Sequence, residues 1–557
     1  MRSGLFGAVG AGAQQLTESS VFLTGSTPAA FGQVCPAHGV QRSVLTAEND
    51  EVFGIHGAWL NAADPEWDHP RYYDHVRWVL SSSESFDEAE GPLHGMTWSS
   101  SEERLCLHAD FARQHPLFYF VHEGGLVFSF SVDSLVGHLR ALGLPVEPDE
   151  EGGALLLTYG CILGDQTLVQ GIRKLMPGHS LEWTPTAWKV ESRTDLLGVA
   201  RDLNSEHDAI EALHSAFVAS VAEVQRVNEA AGCASHALLS GGLDSRMVAL
   251  ALGRSVRDLS CLCFSVRNYA DHQISQELAS DQGWGYAFHD LGQGEYLRER
   301  ASVLEYDGCV NYLASAHHRS ALQGAQLPGL GILGSGQGAN VLLTDTFRWR
   351  QSGDEVLAGM ISYRGVLGTA FPSARRAWES CPGVQAFKIV NRGFLYTNSG
   401  AYSTVDFGVL WSPFTSRRFV LQALRLHPDL VSGQRAYLAW MAQHFPEALK
   451  YDWERYGVPP VRGARLRLAQ LWARVRAKLR KHFPQRRTSS MSPLQHWYDT
   501  SPDLRAHFAD SFDAHRGQLL HFPHLREAVE RDFSGMNVMN KASVLTLMWA
   551  SQTWFRS

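Results

Sequence analysis

The segment Leu238-Leu239-Ser240-Gly241-Gly242-Leu243-Asp244-Ser245-Arg246 carries the residue types needed to hold a polyphosphate. Two adjacent glycines let the backbone approach an anion closely, and a helix starting behind them offers backbone N–H groups and its positive end. Ser240 and Ser245 add hydroxyl donors. Asp244 supplies a carboxylate for the Mg²⁺ that a dense set of phosphate oxygens attracts. The pattern Gly-x4-Gly-Lys-Ser/Thr is absent, which separates this loop from the P-loop of ordinary ATPases. The competing reading is a Gly-Gly turn between a strand and a helix, with the aspartate as a cap.

The flanking residues supply the elements that such a loop needs. Ala234–Leu239 reads as a short apolar strand, Asp244 to Leu252 as a helix, and Leu259–Val266 as the next strand. Upstream, Ile210, Leu213, Phe217, Val218, Val221 and Val224 recur at helical spacing from Glu206 to near Asn228. Strand, loop, helix and strand of these lengths make a parallel α/β unit. The first 200 residues or so differ: alternating apolar runs at Arg104–Ala109, Leu117–Val121 and Leu126–Phe130, broken by turn residues, predict an antiparallel β-rich domain. Beyond about residue 300 most segments look helical. A length of 557 residues suits two domains, 1–200 and 201–557.

Composition narrows the classes. Hydrophobic residues make up 45% and charged residues 19%, ordinary for a globular chain. A net charge of −8 gives no general attraction to nucleic acid. The eight cysteines form no paired CxxC framework, which argues against a disulfide scaffold and a zinc site. Cys261 and Cys263 read as inward-facing core thiols. The N-terminus is a poor signal peptide and no apolar run is long enough to span a bilayer, so a soluble, cytoplasmic protein is expected. Residues 461–490 stand apart: ten Arg or Lys and no acid, interleaved with Leu466, Leu468, Leu471, Trp472, Val475 and Leu479 at helical spacing.

The Ser240–Arg246 loop resembles the pyrophosphate-binding loop of the asparagine-synthetase family, whose members split ATP between the α and β phosphates. Asp271, Glu277, Ala279 and Gly283 are similar to the helix after that family's second strand, and Trp411–Ser416 to its Pro-Phe-Leu-Asp helix start. Asp110, Pro116–Tyr119, Phe128-Ser129 and Gly171–His179 resemble the glutaminase-type domain that precedes it. The resemblance implies an N-terminal Ntn-hydrolase-like sandwich. It implies next a parallel α/β domain like the adenine-nucleotide α-hydrolases, with a mostly helical remainder. It also implies ATP and Mg²⁺ as cofactors, with Ser240, Gly241, Gly242, Leu243, Asp244 and Ser245 on the nucleotide and Asp244 on the metal.

Three departures from the family's pattern bear on function. A glutamine-hydrolysing member needs a cysteine as its first residue after Met removal, because that thiol attacks the amide. Arg2 stands there and the first cysteine is Cys35, so glutaminase activity is not expected. In Gly334-Ser-Gly-Gln-Gly-Ala-Asn340 the family's two carboxylates fall on Ser335 and Gly338, with Asp345 as a candidate substitute ligand against a plain surface-turn role. The family's catalytic lysine falls on Arg455, with Lys450 nearby; Arg keeps the charge but changes shape and reach.

The resemblance therefore implies an ATP-dependent carbon–nitrogen ligase that adenylates a small-molecule or peptide carboxylate for attack by an amine, without glutamine hydrolysis. A lasso-peptide macrolactam cyclase is the specialised form expected. The alternatives are an asparagine synthase-like enzyme using ammonia, in amino-acid or surface-polysaccharide metabolism, and a nucleotide-binding scaffold that has lost the chemistry. The basic stretch offers contact with a leader peptide, an acidic partner or an anionic surface, against the default of a solvated helix.

Overall fold

Short runs of aromatic and β-branched residues, each closed by glycine or a charged turn, build the first part of the chain into two antiparallel sheets of six strands. In the computed structural model, which describes residues 4–10, 13–16, 21–23, 27–34, 40–48, 50–61, 70–300, 307–314, 316–344, 351–402, 404–480 and 490–555, one sheet places Gly4–Gly10 between Gly125–Ser129 and Ala29–Val34. The other runs from Ala187–Ser192 through His179–Thr184, Arg104–His108, Leu93–Ser99 and Glu51–Gly57 to Arg42–Glu48. Leu5, Phe31, Phe128 and Tyr119 from the first meet Met96, Trp98, Leu107 and Leu181 from the second in a dry core. Arg2, Cys35 and Asp345 lie outside the described residues.

The remainder is organised by a parallel sheet of five strands in the order Gly285–Asp290, Leu259–Ser265, Ala234–Leu238, Leu330–Gly334, Val409–Trp411. Numbered along the chain, that order is third, second, first, fourth, fifth. The order reverses between Ala234–Leu238 and Leu330–Gly334, and the crevice beyond the carboxyl ends of two such strands is where open α/β sheets bind ligands. The expected helices appear as Glu206–Ala230 and Leu243–Ser255. The strands Leu330–Gly334 and Val409–Trp411 were not foreseen, and the loop that follows the first of them borders that crevice. Trp411 ends its strand, and Ser416 then caps the helix Arg417–Leu424 by accepting the Phe419 N–H at 3.3 Å.

Residue 200 falls between the strand Ala187–Ser192 and the helix Glu206–Ala230, yet packing does not stop there. Helices Val132–Ala141 and Glu150–Tyr159 share one core with Val538–Trp554 and Leu367–Glu379. On the opposite side Ile55 and Trp59 meet Val224, Ile332 and Trp411. The buried thiols of Cys261 and Cys263 sit within the parallel sheet, as their pattern predicts. No helix among the described residues is long and apolar enough to cross a membrane.

Candidate functional site

At the point where the strand order reverses, two glycine-containing loops face one cavity of about 670 Å³, within the range of small-ligand sites. Ser240, Gly242, Asp244 and Ser245 come from the first loop; Ser335, Gly336, Gln337 and Gly338 from the second. A Cβ at Gly336 would stand 2.5 Å from the Ser245 backbone nitrogen, so only glycine lets the second loop lie against the start of the helix.

Hydrogen bonds fix the first loop internally. The Ser240 and Ser245 hydroxyls pair at 2.8 Å, the Ser240 N–H donates to Ser245 Oγ at 3.1 Å, and the Gly242 N–H donates to Ser240 Oγ at 3.1 Å. From behind, the Gly241 N–H donates to Asp271 Oδ1 at 2.7 Å. Arg246 is completely buried and donates to the carbonyls of Gly241 (2.7 Å), Ala448 (2.9 Å) and Tyr451 (3.1 Å), and also to that of Asp452. This guanidinium ties the loop to the 446–452 segment. Its burial lowers the Arg246 pKa to about 10.

Asp244 does not cap the helix. The cap position is Gly242, without a side-chain bond, so the first N–H groups of a 13-residue helix remain for a ligand. Asp244 sits in the first turn and its Oδ1 accepts the Tyr437 hydroxyl at 2.5 Å. Burial raises its pKa to about 6. It is the single carboxylate among the described residues lining the cavity. Among the described residues no three His, Cys, Asp or Glu side chains are grouped to hold a metal. That donor set suits Mg²⁺, which takes one or two carboxylates, water and substrate phosphates rather than an all-protein cage.

The cations of the cavity are ones the sequence reading missed. Lys388 and Arg392 line it from a wide, π-type helical stretch, Lys388–Thr397. Burial lowers the Lys388 pKa. His317 and His318 join from the helix Ala316–Ala325, with Phe264 between them and the sheet, their ring centroids 5.3 and 5.2 Å from the phenyl ring. Burial, then the neighbouring His318, holds the His317 pKa well below its usual value.

Lys450 and Arg455, the expected catalytic cations, do not line the cavity. Lys450 ends an exposed turn, and the exposed Arg455 guanidinium lies 5.5 Å from the Tyr456 ring. The Trp453–Val458 bridge turns the chain so that Glu454 faces the loop instead. The Glu454 N–H donates to the Gly241 carbonyl at 3.2 Å, and its Cβ would stand 2.8 Å from a Cβ at Gly241. Glu454 accepts the Tyr269 hydroxyl at 2.7 Å, and its charge, after burial, helps raise the Asp271 pKa to about 6. Ser335, where the family has a carboxylate, is buried and accepts the Gln337 N–H at 3.2 Å.

No protein-family profile matches the sequence, and no characterised protein matches it in sequence. In structure the chain is similar to an allosteric regulatory enzyme of purine biosynthesis, at 11% identity over 51% of this chain and 74% of that one, with a TM-score of 0.22. It is also similar to glutamine phosphoribosylpyrophosphate amidotransferase from B. subtilis complexed with ADP and GMP. That match has 10% identity over 57% of this chain and 68% of that one, with a TM-score of 0.21. Likeness at those scores carries no argument about activity, so the function rests on the chemistry of the cavity itself.

Proposed function

We propose that the chain is an ATP-dependent ligase that adenylates a carboxylate and passes the acyl group to an amine. The observation that carries this reading is the uncapped helix start behind Ser240-Gly241-Gly242, at the reversal point of a parallel sheet, facing a cavity with Asp244 on one wall and Lys388 and Arg392 on another. The backbone N–H groups in the first turn of the helix Leu243–Ser255 suit the β and γ phosphates. A substrate carboxylate oxygen attacks the α-phosphorus and pyrophosphate leaves. An amine then attacks the acyl carbon, AMP leaves, and the amine loses its proton.

Mg²⁺, when bound, spreads the charge of the leaving pyrophosphate, and Asp244 is the residue that would hold it. Lys388 and Arg392 meet charge that develops on the phosphates or the substrate carboxylate. Burial holds His317 too far below its usual range to take the amine proton, which passes to solvent. The finer assignments belong to the same proposal: an Ntn-hydrolase-like sandwich without glutaminase function, an adenine-nucleotide α-hydrolase-like second part, and a substrate carboxylate on a peptide whose own amine closes a ring. Free ammonia as the amine is the second version.

One observation favours a different reading, a nucleotide-binding protein without the chemistry. Glu454 places a carboxylate beside the phosphate loop, and neither Lys450 nor Arg455 lines the cavity. ATP–pyrophosphate exchange with candidate carboxylates separates the two readings. Exchange above background supports the ligase, whereas ATP binding without exchange for any acid supports the binding protein. Lys388→Met is expected to lower exchange about tenfold, the value of one charge-assisted contact. An unchanged rate would remove Lys388 from the mechanism.

A further inference from the structure

Among the described side chains of the helix Ala464–Arg480, one, that of Leu466, is buried. It sits in the core beneath the helix, and just upstream Arg462 pairs with Glu206 at 3.0 Å. The opposite face carries Leu468, Leu471, Trp472 and Val475, at the i, i+3, i+4 and i+7 spacing of a single stripe. Their exposures are 57%, 56%, 60% and 39%, so the stripe points into solvent. Four large apolar side chains in one exposed row on a helix otherwise rich in arginine are not explained by packing within the chain.

The charges are arranged around that stripe. At 100° per residue, Arg467 falls along one border of it and Arg465 and Arg476 along the other. Ten of the chain's 49 Lys and Arg lie within 461–490, and none of its 57 acids does. Local cationic charge in a chain of net charge −8 is therefore a property of this surface, not of the composition.

We infer that this helix lies in the interfacial plane of an anionic lipid surface. Leu468, Leu471, Trp472 and Val475 would enter the headgroup–acyl boundary, while the arginines on the two borders spread sideways to lipid phosphates. An apolar stripe with tryptophan and basic borders on both sides matches that geometry, since long cationic side chains reach outward while their stems cover apolar surface. The contact places the protein on a membrane without crossing it, and it is independent of the nucleotide reading.

The test is co-sedimentation of the full-length protein with vesicles of phosphatidylcholine alone and of phosphatidylcholine with 30 mol% phosphatidylglycerol, the probe used for the anionic surface. Binding to the anionic vesicles, weakened by salt and weak on the neutral ones, is expected. The triple reversal Arg465→Glu, Arg467→Glu, Arg476→Glu should reduce partitioning by roughly tenfold or more, and Leu471→Ser with Trp472→Ser should reduce it comparably. All these side chains are exposed, so circular dichroism melts should match the wild type. No binding to anionic vesicles overturns the inference. So does binding that survives both sets of substitutions, or capture by poly-glutamate but not by vesicles, which would assign the face to an acidic protein.

Discussion

The β-sandwich and the parallel-sheet part both bury ionisable groups, but they do so to different ends. In the sandwich His56 stacks on His94 and meets His115 edge-on, with ring centroids 5.2 Å apart in both pairs. The Leu5 N–H donates to His94 Nε2 at 3.2 Å, and burial pushes the His94 pKa down to about 3. Burial keeps His56 and His94 neutral within the core. Around the loop, Arg246 stays charged among backbone carbonyls, and Asp244 looks into a cavity. Burial strips His56 and His94 of charge, whereas the Arg246 guanidinium keeps its charge by donating to backbone carbonyls.

The sharpest test of the second half of that contrast is Arg246→Met. The substitution leaves the carbonyls of Gly241, Ala448, Tyr451 and Asp452 without their shared donor. Urea unfolding should show a loss of about 3–5 kcal/mol, with nucleotide binding lost in the same variant because the loop is no longer tied to its backing. A loss below about 1 kcal/mol would make this guanidinium a bystander.

Asp244→Asn separates ligand chemistry from folding at the next position. Asn can still accept from Tyr437, and at pH 8 it spares the chain the cost of burying a carboxylate whose pKa burial has raised to about 6. The melting temperature should therefore stay level or rise slightly. Pyrophosphate exchange should fall by roughly a hundredfold or more, since metal stabilisation of phosphate charge supplies several kcal/mol.

Much of the loop half was legible because its signals are local. Two glycines behind an apolar strand and before a helical period specify strand, turn and helix, and the helix Leu243–Ser255 begins where the period does. The partner loop was legible in sequence but not in place. Leu330–Gly334 and Val409–Trp411 are short, buried apolar runs that periodicity cannot distinguish from helix. Lys388 and Arg392 look like ordinary surface charges until a π-type turn and the tertiary fold bring them to the cavity. The family resemblance put Arg455 at the site, and the turn at Trp453–Val458 brings Glu454 against Gly241 and leaves Arg455 exposed. The clustered imidazoles were illegible because His56, His94 and His115 come from separate segments.

The sandwich half predicts a pH dependence. His94 has its pKa lowered from 6.5 to about 3, so the unfolded chain takes up a proton below pH 6.5 that the folded chain refuses. Stability from this group is present above pH 6.5 and is lost as pH falls toward 3, by up to about 1.4 kcal/mol per pH unit. Asp110, raised by burial to about 7, works the other way, its contribution falling as pH rises from about 4 to 7. The difference between wild type and His94→Gln cancels Asp110. Urea midpoints should converge as pH drops from 7 to 5. Parallel curves would mean that the imidazole cluster titrates normally and is open to water.

Ser240→Ala makes the smallest change and fixes the scale for the others. Its hydroxyl accepts the Gly242 N–H and pairs with Ser245, while Ser245 Oγ keeps the Ser240 N–H in the variant. One neutral hydrogen bond is lost, worth about 0.5–1.5 kcal/mol, so exchange should fall between about twofold and tenfold with little change in melting temperature. The ordering against Asp244→Asn is what matters. If a charge that organises phosphates sits at Asp244, removing it must cost at least ten times more in rate than removing the Ser240 hydroxyl, while both variants melt alike. Two mild and equal losses would describe a turn that happens to contain serine and aspartate. In that outcome the cavity keeps its shape, but the ligase reading falls.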